Sequence, residues 1–134
     1  MFSPEHLFAL GAALMSGVLL AAVFWRVNPG HRARSITRCA LAIILLGSEL
    51  SWQWWQVQAD IWDIRSSLPL HLCDIALLLS VVMLIWRIPV LFELIYFWAF
   101  SGSLHAMITP DLGQYEFPHF HFFQYFVSHG TVIL

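Results

Sequence analysis

Residues Leu68–Trp86 read LPLHLCDIALLLSVVMLIW. As a helix this run is long enough to cross a hydrocarbon core of about 30 Å, which takes roughly 20 apolar residues. Its opening nevertheless carries His71, Cys73 and Asp74. Ionisable groups are costly in lipid and point to a pathway, a partner or a site wherever they occur there. The stretch therefore fixes both the class of the chain and the place to look for its chemistry.

Comparable runs lie on either side, at Leu7–Trp25, Cys39–Val57 and Pro89–Ile108, and a fifth begins at Phe120 and continues to the end. The expected fold is all-α, a polytopic transmembrane helix bundle of four complete helices plus the start of a fifth. Residues 1–134 form a single multi-pass membrane domain. The last run is too short to cross and lacks a polar flank, so the chain is expected to be C-terminally incomplete, a portion of a larger bundle. Composition agrees: 60% of residues are hydrophobic and 10% charged, with a mean hydropathy of +0.75. A water-soluble domain of this size has no interior large enough for that apolar surface. Nothing in it resembles a nucleic-acid surface, and the expected partners are membrane lipids.

All cations are arginines. Arg26, Arg32, Arg34 and Arg38 crowd the first connection and Arg87 sits in the third, whereas the second and fourth carry Asp60, Asp63, Asp111 and Glu116 with only Arg65. The positive-inside bias then places the first connection in the cytoplasm and the N-terminus outside the cell membrane. The first run follows Glu5 rather than basic residues and has no obvious cleavage site, which reads as a retained helix. Trp52, Trp54, Trp55 and Trp62 fit an aromatic belt at the interface, and the histidines of Phe117-Pro-His-Phe-His121 fit headgroup contacts there better than a metal site. Glu93 reads as interfacial or paired with Arg87.

In Arg65-Ser-Ser-Leu-Pro-Leu-His-Leu-Cys-Asp74, Ser66 or Ser67 has the character of a helix cap with Pro69 in the first turn. His71, Cys73 and Asp74 then occupy the first two turns of the third helix. Glu49 and Gln53, four apart on the second helix, reach the same depth; so do Ser101 and His105 on the fourth and His129 on the fifth. Facing inward together, these groups outline a buried site open toward the outer side. Singly, His105 and His129 are equally well read as hydrogen-bonding glue between helices. Two cysteines are too few for a disulfide framework, and Cys39 reads as a small apolar filler.

The ordered series Leu68-Pro-Leu-His-Leu-Cys73, Phe92-Glu-Leu-Ile-Tyr-Phe-Trp98, Met107-Ile-Thr-Pro-Asp-Leu-Gly113, Phe117-Pro-His-Phe-His-Phe-Phe123 and Val127-Ser-His-Gly130 resembles the YwaF-like bacterial integral membrane family, relatives of transmembrane protein 164. The resemblance runs over essentially the whole chain and implies a bundle with more helices than these. The animal relative is a phospholipid acyltransferase acting through a cysteine with a histidine partner. Carried over by motif, these are Cys73 and His129; Glu49, Gln53, His71, Asp74 and His105, from the polar layer described above, are the supporting residues. No cofactor or metal belongs to that reading.

On a regular helix His71 and Cys73 stand about 200° apart, since each residue turns about 100°. Cys73 inward makes a thiol catalyst. His71 and Asp74 inward, joined by His105 and His129, supply ligands for zinc and a water-activating hydrolase. The residues leave the two open, and the resemblance favours the thiol. A non-enzymatic polar layer that binds or conducts an ion or small solute is the remaining alternative.

Overall fold

A computed structural model describes residues 3–134, and among these the chain is helical with no strand. Helix α1 runs Pro4–Val27, α2 His31–Gln58, α3 Leu72–Trp86, α4 Pro89–Ile108 and α5 Phe120–Ile133. Three of them, α1, α2 and α4, are long and apolar enough to span a membrane. Local sequence explains the boundaries. The Ser3 hydroxyl accepts from the His6 N–H at 3.3 Å with Pro4 in the first turn, which satisfies an otherwise unpaired helix-end donor. Asn28 closes α1 in the left-handed conformation, φ 43°, just before Pro29, a stop signal of the usual kind. Pro89 opens α4, and the His119 Nδ1 caps α5 by accepting from the His121 N–H at 3.0 Å.

The third helix departs from the sequence expectation. It begins at Leu72, not near Pro69, and its cap is His71 rather than Ser66 or Ser67. The reason is that Ser67 is engaged elsewhere: its N–H donates to the Asp63 carbonyl at 2.7 Å and its hydroxyl accepts from the Asp63 N–H at 3.1 Å. The Asp74 carboxylate accepts from the His71 N–H at 3.2 Å and starts the helix there. With 15 residues, α3 is about 22 Å long at 1.5 Å per residue, short of a full span. In the irregular segment before it Ser67 is buried. Non-helical backbone at membrane depth stands only where it is buried in protein or lines a cavity, and this one does line a cavity.

Helix α2 packs on α3 and α5, α3 on α4, and α1 on α5. The α1 contact depends on small residues: a Cβ at Gly130 would stand 3.3 Å from Ala13 Cβ, and one at Gly17 3.2 Å from Leu134 Cδ2. Between helices in lipid, close backbone approach of this kind replaces the hydrophobic drive that operates in water. Two apolar clusters frame the interior, Ala42, Leu45, Leu77 and Val81 between α2 and α3, and Met107, Leu112, Phe122 and Phe126 around α5. Large apolar side chains such as Phe8, Val18, Leu19, Ile43 and Phe97 face outward, as lipid contact requires.

Helix α4 contains one wide π-turn, Ala99–Ser103. Its buried residues Ile95, Ala99, Ser103 and Met107 recur every four positions. In a straight α-helix such a series drifts about 40° per step; the wider turn absorbs the drift and keeps the series on one face.

Candidate functional site

The polar residues on this framework meet in a cavity of about 590 Å³. Its walls are α2, the irregular segment, the start of α3, the π-turn region of α4 and the inner face of α5. Glu49, Gln53, His71, Cys73, Asp74 and His129 all line it. His71 shares the wall with Cys73 because, as the cap, it stands outside the regular helix, so the 200° separation expected from an uninterrupted helix does not apply.

His105 is not brought in. It is exposed and outside the cavity wall, and Ser101 is also exposed, its hydroxyl turned back to the Phe97 carbonyl at 2.7 Å. At this level α4 presents Gly102 and Ser103 of the π-turn and Ala106 beyond it. The zinc set of His71, Asp74, His105 and His129 is therefore not assembled. Among the described residues no group of three or more His, Cys, Asp or Glu stands close enough to hold a metal ion.

Gln53 holds the cavity rim. Its amide nitrogen donates to Glu49 Oε1 at 2.9 Å and to the Ser67 carbonyl at 2.8 Å, and its amide oxygen accepts from the Trp62 indole at 2.9 Å. One side chain thus ties α2 to two points of the irregular segment. At the start of α3, Asp74 takes the Cys73 thiol at 3.6 Å and the His71 Nδ1 at 3.1 Å. Cys73 is exposed at the wall, whereas Glu49 and His129 are buried.

The histidine on α5 is oriented by its own helix. His129 Nδ1 donates to the Tyr125 carbonyl at 2.9 Å, with the Ser128 hydroxyl 3.3 Å from the same nitrogen. A neutral imidazole that donates from Nδ1 keeps its lone pair on Nε2. The Tyr125 ring lies 4.2 Å from the His129 ring, and its hydroxyl donates to the Ala106 carbonyl at 2.9 Å, fixing α5 to α4. Gln124 and Ser48 bond to each other and join α5 to α2.

Three further residues stand on the cavity wall: Tyr125 and Ser128, which the sequence gives no role, and His121, expected at the headgroups. His121, Tyr125 and His129 recur every four residues, and that spacing is the signal that identifies them. His121 faces the cavity and stacks on Trp52, ring centroids 3.9 Å apart, instead of meeting headgroups, and Trp52 in turn stacks on Trp55 at 5.1 Å. Of the four tryptophans read as a belt, only Trp54 and Trp62 are exposed. Arg87 meets His31 at 3.1 Å and not Glu93, which is exposed.

Comparison with known proteins gives a consistent identity. The TMEM164 family pattern matches residues 1–134. The chain belongs to the TMEM164 family. A curated relative, an uncharacterised protein of Treponema pallidum (strain Nichols), is 37% identical over 111 residues, which make up 83% of this chain and 45% of that protein. The chain thus spans about half the length of that relative. No solved structure matches it. As a TMEM164-family member with three helices of spanning length, it is an integral, multi-pass membrane protein.

Proposed function

We propose that this cavity is an acyl-transfer site for membrane phospholipids in the cell membrane, with Cys73 as nucleophile and His129 as general base. The observation that carries the reading is the fixed orientation of His129: with Nδ1 held by the Tyr125 carbonyl, Nε2 is the basic nitrogen, in the same cavity as an exposed thiol. The chain's resemblance to a family with an acyltransferase member supports the same pair.

The steps balance as follows. His129 Nε2 takes the thiol proton, and the Cys73 sulfur attacks the ester carbonyl of the donor lipid. The tetrahedral intermediate collapses, the carbon–oxygen bond breaks, and the departing alkoxide recovers the proton from His129. An acceptor hydroxyl then loses its proton to His129 and attacks the thioester, releasing the thiolate, which is reprotonated. Water in place of the acceptor gives hydrolysis. Before attack, Asp74 accepts the thiol's hydrogen bond and keeps the sulfur at the α3 terminus. The arginine-rich end faces the cytoplasm in this reading and the cavity end the outer side, with the N-terminus outside.

A second reading rests on a different observation: Glu49, Asp74 and Asp111 line the cavity while no arginine does. Three carboxylates without a cation suit a bound cation or small basic solute. One experiment separates the two. The full-length membrane protein is treated with a lipid-like acyl electrophile, wild type beside Cys73→Ala and His129→Ala, all at equal expression. Loss of labelling in both variants supports the thiol mechanism. Labelling that survives both substitutions rejects it in favour of solute binding.

A further inference from the structure

At the opposite end of the bundle lies a second cavity, of about 830 Å³, bounded by α1, α2, α3 and α4 and the last residues of α5. It is lined by Arg34, Arg38, Arg87 and His31 and by no acidic side chain, and its walls are mostly apolar, among them Leu20 and Leu84. We infer that this cavity binds an anionic phospholipid, the phosphate among the three guanidinium groups and an acyl chain along the apolar wall.

The arginines are arranged and uncompensated. Arg87 donates to His31 Nε2 at 3.1 Å, joining the end of α3 to the start of α2. Arg34 donates to the Pro29 carbonyl at 2.9 Å and to Asn28 Oδ1 at 2.6 Å, and Arg38 donates to the Arg34 carbonyl at 3.4 Å. These partners are neutral. Among the described residues none of the three guanidinium groups meets a carboxylate. Arg38 is half-buried, so its charge is only partly relieved by solvent.

Two backbone features add to this. Arg87 caps α3 with φ 54°, a left-handed conformation that favours glycine, and its side chain stands beside His31. Helix α2 starts here with no acidic residue in its first turn, so the positive end of its dipole is also unopposed. A neutral solute gains nothing from this charge, and a free inorganic anion gains nothing from the apolar walls. An amphiphile with an anionic head uses both, as basic pockets between membrane helices do elsewhere.

The test is native mass spectrometry of the full-length protein in mild detergent, titrated with dioleoyl-phosphatidylglycerol or dioleoyl-phosphatidylcholine. Phosphatidylglycerol is expected to bind at least about tenfold more tightly. Arg38→Gln and Arg87→Gln are each expected to weaken it about fivefold, and Arg65→Gln, which removes the same charge at the other end of the bundle, to leave it unchanged. Arg38→Lys and Arg87→Lys, which keep the charge, are expected to retain most of the binding. Equal binding of the two lipids, no lipid binding because protein fills the cavity, or equal loss in the Lys and Gln variants overturns the inference. Displacement of phosphatidylglycerol by glycerol phosphate at comparable concentration overturns the lipid as the source of the phosphate. None of these outcomes depends on Cys73 chemistry, so this inference and the acyl-transfer reading fail separately.

Discussion

The two cavities have opposite characters although the same helices build them. Near Cys73, carboxylates, histidines and an amide are bonded to one another: Gln53 to Glu49, Asp74 to His71 and Cys73, His129 to the Tyr125 carbonyl. Near Arg87, the guanidinium groups reach only neutral acceptors and line a largely apolar space. A network whose members orient each other is prepared to move protons at fixed atoms. Charges left unpaired over an apolar wall are prepared to receive a ligand. The difference lies in the lining: Glu49, Asp74 and Asp111 without an arginine in one cavity, and Arg34, Arg38 and Arg87 without an acidic side chain in the other.

The largest effect that bears on this contrast is expected from Cys73→Ala, which should lower acyl turnover by more than about 10³-fold, as loss of a nucleophile does. Measured activity within tenfold of wild type would remove the reactive character of that cavity. His129→Ala should follow with a loss of about 10²- to 10⁴-fold, the range for a general base, read as single-turnover acylation. Gln53→Leu breaks three hydrogen bonds at the rim and should reduce stability by about 1–3 kcal/mol, seen as a lower midpoint of unfolding in detergent. No change there would show that the irregular segment holds its place without the clamp. His105→Ala, outside both cavities, should stay within about twofold of wild type in activity; a large loss would return His105 to the site.

Much of this was readable from the sequence because lipid leaves few options. The apolar runs identified the helices, and depth alone gathered Glu49, Gln53, Cys73, Asp74 and His129 to one level. What depth does not give is rotation about the helix axis. His105 was expected inward on a straight α4, whereas α4 has a π-turn at Ala99–Ser103 and presents Gly102, Ser103 and Ala106 to the cavity; no residue in Ala-Phe-Ser-Gly-Ser marks that turn on its own. The start of α3 was misplaced for a different reason. Ser67 looks like a cap locally, but its hydrogen bonds go to Asp63, and only the folded segment shows this. Trp52 and Trp55 satisfy the composition of an interfacial belt equally well whether they meet headgroups or, as here, each other and His121.

The contact between His6 and α4 has a consequence for the order of assembly. His6 Nε2 donates to the Met107 carbonyl at 2.8 Å, across 101 positions of sequence, and α1 otherwise rests on α5. At synthesis rates of about 5–20 residues per second, α1 enters the bilayer on the order of ten seconds before the helix it will lean on exists. During that interval it stands in lipid without that partner. Its nearly uninterrupted apolar surface, with Ser16 the one polar side chain between Leu7 and Trp25, suits that wait.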